Sequence, residues 1–258
     1  MRTLMAIRFD RELKVGRNKP VILTCEDGAD STEVIAKFAH RCERGKNALV
    51  AEAISAMFAI DLGLPIPEPI VVTIDPDLVD DLFQKLPGRS APVKEMPAFG
   101  SKILPPGFAL VSSRKQLPEN LLQQALEILA FDVLIQNSDR IPNNPNCLTA
   151  DSQLAIIDHE LSFLTTGIIG WRPPWEQDSL GYLNTHLFYE ALKGWPVDLD
   201  RLIGAVEAVT DERMNEYLEA LPEEWSGTDS QENEMIELLR SMRTHVADVV
   251  IQVKQVLQ

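Results

Sequence analysis

Long apolar runs, cysteine, histidine and positive charge are all scarce in this chain, and each shortage removes a class of function. No hydrophobic run approaches the roughly 20 residues needed to cross a bilayer, and the N-terminal Met1-Arg-Thr-Leu-Met-Ala-Ile-Arg-Phe-Asp10 holds only a four-residue apolar run before Arg8. We therefore expect no signal peptide and no membrane span. Three cysteines (Cys25, Cys42 and Cys147) are odd in number and widely spaced, so neither a disulfide framework nor a zinc-ligand spacing is available, and a reducing cytoplasm suits them. Four histidines cannot build a zinc cluster. With 24 Lys and Arg against 39 Asp and Glu, the formal net charge is −15. General binding to nucleic acid or to an anionic membrane is excluded, because phosphate backbones are held by lysine and arginine. Also missing are the Gly-x-Ser-x-Gly elbow, the Walker lysine motif and the dinucleotide glycine fingerprint.

What remains is an ordinary globular composition, 45% hydrophobic and 24% charged over 258 residues, enough for one large domain or two lobes. The first hundred residues read as strand-rich. Val21 to Cys25 and Thr32 to Phe38 form a predicted hairpin with Gly28 near its tip. Residues 47–62 predict a helix with Asn47 as N-cap, stopped by Gly63 and Pro65, and Ile70 to Ile74 predicts another strand. The stretch from Lys85 to Pro106 is rich in Pro, Gly and Lys without a period, which places a boundary between residues 1–106 and 107–258. From Pro118 a periodic helix delivers the chain to Asn137, and short strands are expected near Asn146 to Thr149 and Leu154 to Asp158. Beyond residue 175 everything reads as helix, ending in an amphipathic, core-facing segment from Glu232 to Leu257. The four tryptophans of this half (Trp171, Trp175, Trp195, Trp225) read as packing residues.

The most informative stretch is Gln136-Asn-Ser-Asp-Arg-Ile-Pro-Asn-Asn-Pro-Asn146, followed by Leu154-Ala-Ile-Ile-Asp158-His. Phosphoryl transfer needs one carboxylate to orient an attacking hydroxyl, and an amide plus a carboxylate to hold magnesium on the phosphates. Asp139 fits the first role, with Arg140 structural or charge-stabilising beside it. Asn144 and Asp158 fit the second, with Asn143 and Asn146 close enough to compete for Asn144's part. Lys37, on a strand, supplies a phosphate-binding cation. Glu52 is the only acid between Asn47 and Asp61 on an otherwise apolar helix, where an unpaired carboxylate is costly, so it is expected to pair with Lys37; Glu43 is the weaker alternative. Gly28 is the residue available to bring a backbone amide near phosphate, with Ser31 and Thr32 adding hydroxyl or amide contacts. His159 is read as an orienting hydrogen-bond donor beside Asp158.

These pieces also carry a resemblance. Ala36-Lys-Phe38, Ala51-Glu-Ala53, Leu62-Gly-Leu-Pro-Ile-Pro-Glu-Pro69, Phe99-Gly-Ser101, Phe131 to Arg140, Asn144-Pro-Asn146, Ile156-Ile-Asp-His159 and Pro222-Glu-Glu-Trp225 together resemble the HipA-like kinases, in particular short bacterial proteins built around one such unit. The resemblance implies an α+β, bilobed protein-kinase-like fold, with a small strand-rich N-lobe and a larger, mostly helical C-lobe. It implies ATP and Mg2+ as cofactors and transfer of the γ-phosphoryl group to a serine or threonine hydroxyl, most naturally of a protein, with a protein regulator among the partners. By motif, Lys37 would meet the phosphates, Asp139 would be the catalytic aspartate, and Asn144 and Asp158 would hold metal. The chain departs from the pattern in three places: the extra N-terminal domain of the larger toxin kinases is missing, the phosphate loop is poor in glycine, and Ile141 stands where related phosphotransferases often place histidine. A phosphotransferase for an aminoglycoside or sugar, or a silent pseudokinase that binds without turnover, would share the same motifs.

Overall fold

A computed structural model describes residues 1–14, 18–28, 30–79, 97–112, 117–165, 170–226 and 231–258. Its N-terminal part is a closed five-stranded barrel in the order β1-β2-β3-β5-β4. The strands are β1 (Arg2–Glu12), β2 (Val21–Asp27), β3 (Asp30–Lys37), β4 (Pro69–Ile74) and β5 (Ala98–Lys102). All pairings are antiparallel except β1 with β4, which is parallel and closes the barrel. The interior is filled by alternate residues, among them Leu4, Ala6, Leu23, Cys25, Val34, Ala36, Ile70 and Val72, as the two-residue period of a strand requires. Gly100 is compelled by this packing: a Cβ there would stand 2.6 Å from side-chain carbons of both Val34 and Val72.

Between β3 and β4 runs α1 (Lys46–Asp61). Its buried residues occur on every side, from Ala48 to Ala59 without a break, which is why its sequence is small and apolar throughout. The helix ends in a Schellman motif: Gly63, at φ 67°, lets Leu64 N–H donate to Ala59 and Gly63 N–H donate to Ile60. Its start differs from expectation. Gly45 is the N-cap and no side chain caps the helix; Asn47 instead accepts from the Gln231 amide at 3.1 Å.

The C-terminal part is helical around one small sheet. That sheet joins β6 (Ala109–Leu110), β7 (Cys147–Ala150) and β8 (Gln153–Ile156). Its helices are α2 (Leu122–Leu134), α3 (Tyr189–Leu192), α4 (Asp200–Ala208), α5 (Asp211–Glu219), α6 (Glu232–Thr244) and α7 (Val246–Leu257). The larger apolar core is here, and it takes in α1 as well as α2, α6 and α7. So the helix that carries Glu52 belongs by packing to the helical core, while the strand that carries Lys37 belongs to the barrel.

Two expectations need correction. The segment after residue 175 is not uniformly helical: short 3-10 turns such as Gly181–Thr185 and extended links separate its helices. The final helix is broken at His245, whose ring stacks on Trp175 at 4.4 Å between centroids. Most of the expected boundary stretch, residues 80–96, lies outside the described residues. Pro106 falls between β5 of the barrel and β6 of the second sheet. The three cysteines are free and buried, and burial pushes the Cys25 and Cys42 thiols up to about 12. Among the described residues no helix is long and apolar enough to cross a membrane.

Candidate active site

Lys37 closes β3, where Ala36 faces the barrel interior and the lysine side chain leaves it. Its ammonium group pairs with Glu52 from α1, lies 2.6 Å from Asp158 and 3.5 Å from Glu160. One cation therefore faces three carboxylates. Burial alone would lower the lysine pKa, but Glu52, Asp158 and Glu160 outweigh it and hold the pKa well above the ordinary value. Burial likewise opposes ionisation of Glu52, yet Lys37 and His159 keep its carboxyl below the usual range. The second Glu52 oxygen accepts from the His159 backbone amide at 3.0 Å.

Asp158 follows β8 and sits in the left-handed region at φ 62°, a conformation aspartate tolerates better than branched residues. Opposite it stands the loop after α2. There Asp139 accepts from the Asn144 side-chain amide at 2.7 Å and from that of Asn146 at 3.2 Å. Burial, then the charge of Asp158, raise the Asp139 pKa above the ordinary carboxylate value. Asn144 spends its nitrogen on Asp139, which leaves its amide oxygen as a ligand.

Arg140 turns the other way. Its side chain is fully buried and forks onto Asp132 of α2 at 2.6 and 3.2 Å. It also donates to the carbonyls of Asn146 and Ile157, and its Nη2 lies 3.1 Å from Nε2 of His159. Because the guanidinium can only donate, His159 Nε2 accepts and its other nitrogen carries the proton toward Glu52. His186 approaches Asp132 from a third side at 3.0 Å. Arg140 thus braces the Asp139 loop, β8 and α2 from behind, out of reach of any ligand.

Lys37, Asp139, Asn144 and Asp158 line one cavity of about 250 Å³ together with Asn18, Pro20, Glu43, Glu160 and Leu161. Glu52 anchors the lysine from beneath it. Gly28 and Ser31 are not brought there. The hairpin tip lies at the other end of β3, six residues or about 20 Å from Lys37 by strand rise, and Arg2 ties it to Asp27 at 2.7 Å and to Glu68 at 2.6 Å. The cavity is reached instead by Asn18 and Pro20, just before β2, and the Asn18 amide donates to Glu160 at 2.5 Å. Sequence reasoning passed over both Asn18 and Glu160. Glu160, two positions beyond Asp158 in Asp-His-Glu, had a local signal; Asn18 had none, since its place depends on how β1 closes the barrel.

The donor set suits a hard cation. Carboxylate oxygens of Glu52, Asp158 and Glu160 lie within 4.8 Å of one another. Glu52 is already spent on Lys37 and a backbone amide, and both oxygens of Glu160 accept from Asn18, so the acid best placed for a metal is Asp158, with Asn144 as the neutral oxygen and Glu160 beside them. An all-oxygen set of this kind matches magnesium.

The geometry has counterparts. The family model of the HipA-like kinases matches residues 7–250: nearly the entire chain is covered, and the chain belongs to that family. No curated protein matches it. Among solved structures it is similar to the crystal structure of a Helicobacter pylori proinflammatory kinase, CtkA, with a TM-score of 0.53, 13% sequence identity and 96% of each chain covered. At that identity the likeness speaks for the fold alone.

Proposed function

We infer that the chain is a kinase that transfers the γ-phosphoryl group of ATP to a serine or threonine hydroxyl of a protein, with Mg2+. In this reading residues 1–106 and 107–258 act as two lobes of a bilobed, kinase-like fold. The observation that carries it is the ammonium of Lys37, clamped by Glu52 and set 2.6 Å from Asp158 in a cavity that also holds Asp139 and Asn144.

Each residue has a distinct task. Lys37 binds phosphate oxygens as a point charge, and the Glu52 pair fixes its direction. Asp158 and Asn144 hold the metal, with Glu160 within reach; magnesium, when bound, neutralises charge on the phosphates. Asp139, oriented by two asparagine amides, accepts the hydrogen bond of the acceptor hydroxyl and takes its proton. Burial of Asp139 beside Asp158 raises its proton affinity, which favours that transfer. Two of the three carboxylates around Lys37 are in excess of its charge, so the site favours an incoming cation over a bare anion.

A thermal-shift titration with ATP, with and without magnesium, on the wild type and on Asp158→Ala tests this reading. A magnesium-dependent rise in melting temperature that the variant loses is the expected result. No rise under any condition in the wild type would leave a non-catalytic binding module as the better description.

A further inference from the structure

A second cavity measures about 370 Å³. Two of its wall residues, Gln136 and Ser138, belong to the loop that carries Asp139, so that loop is the partition between the two cavities. Leu164, Trp171, Pro174, Leu180 and Tyr182 give the rest of the wall an apolar and aromatic part, beside the polar Arg172, Asp178 and Ser179. All four tryptophans were read as packing residues, and Trp225, Trp175 and Trp195 do pack in or against the core. The indole N–H of Trp171 donates to Gln136 at 2.8 Å, and Gln136 is held in the left-handed region at φ 52°. The tryptophan is thus fastened to the turn that presents Asp139. Leu164 is 38% exposed, one of the few large apolar side chains left uncovered.

We propose that this cavity receives an apolar side chain of the protein acceptor, next to the serine or threonine that Asp139 engages. The inference rests on the kinase reading above and names its substrate class. Three features select the occupant. The volume falls within the range of specific ligand sites, with room for one large side chain and its flanking backbone. The position is beside the reacting group, because Ser138 of the wall is next in sequence to Asp139. The wall carries one charge of each sign, Arg172 and Asp178, with Arg172 tied to Glu176 at 3.0 Å. A polycationic sugar would need carboxylates in excess, and a sugar phosphate would need cations in excess; an apolar side chain needs neither. The burial of aromatic and leucine surface is then what holds the peptide.

The test is phosphorylation of arrayed Ser/Thr peptides, each with one flanking position fixed, by the wild type, Trp171→Ala and Leu164→Asp. The expected result is selection of Leu, Ile, Met or Phe at a single flanking position, with the peptide KM about tenfold higher or more in both variants. In both, the ATP-dependent rise in melting temperature should persist, which separates lost docking from lost folding. Labelled peptides without an apolar preference, or variants that select as the wild type does, overturn the proposal. So does an enzyme that binds Mg-ATP and labels no peptide. Failure of the wild type to bind Mg-ATP would instead refute the kinase reading itself.

Discussion

Two polar networks lie back to back in this molecule, joined by His159, and they are built on opposite principles. Around Asp132, every charge has its counter-charge: Arg140 forks onto it, His186 and Asn137 fill its remaining positions, and both members of the ion pair are fully buried. Around Lys37, one ammonium serves three carboxylates, and Asp158 keeps a third of its side chain exposed. The first is charge-balanced, sealed and rigid. The second is overcharged, partly open and ready to be completed by a cation. A buried ion pair is an uncertain source of stability but is costly to break; an overcharged, accessible cluster is where ligands bind. The contrast separates the residues that hold the site from those that use it.

Breaking each network should have different consequences. The largest is expected at the user's side: Asp139→Asn should lower phosphoryl transfer about 10²- to 10⁴-fold while Mg-ATP still raises the melting temperature. Undiminished turnover would remove Asp139 from its role. Next, Asp132→Ala leaves Arg140 buried without its partner and should cost about 3–5 kcal/mol in urea denaturation. A loss under about 1 kcal/mol would mean that His159 and the carbonyls already satisfy the guanidinium.

The pH dependence sharpens the same comparison. Burial opposes ionisation of Asp132, but Arg140 and His186 overcome it and depress its pKa, and Glu52 is depressed in the same sense by Lys37 and His159. A carboxylate depressed in the folded state contributes stability that is present above its unfolded pKa, about 4, and lost as the pH falls through the folded value. Denaturation midpoints should therefore drop on acidification below about pH 4, and Asp132→Asn should flatten that slope. The smallest effect is expected at Glu160. Burial, with Asp158 and Glu52, raises its pKa despite Lys37, so its charge at neutral pH works against folding. Glu160→Gln should leave stability within about 1 kcal/mol of wild type, and on the favourable side. A marked loss would instead make its charge opposite Lys37 essential to the fold.

How much of this was readable beforehand follows from how local each signal is. Lys37, Glu52, Asp139, Asn144 and Asp158 announced themselves because each combines a residue type with a place on a strand end, an apolar helix or an Asn-rich turn, and the structure puts the five together. The hairpin, α1 and α2 were legible from period and stop signals. β1 was not: along Arg2–Glu12 only Leu4 and Ala6 are fully buried, so the sequence shows too little alternation. β5 is five residues long with a glycine at its centre, and its partners β3 and β4 are distant in sequence. With β1 unseen, the residues before β2 that reach the cavity could not be placed, and Gly28 and Ser31 stood in for them. The break at His245 carries neither proline nor glycine and coincides with the stacking of its ring on Trp175, distant in sequence.

The closure of the barrel has one more consequence. Parallel pairing of β1 with β4 uses the last edges of the five described barrel strands, and a ring without edges offers no row of unpaired amides to an incoming strand. Recruitment of a partner by strand addition, a common way to capture an extended peptide, is closed to this barrel. Whatever docks there must grip side chains and loops, and its specificity will be written in surface residues rather than in backbone register.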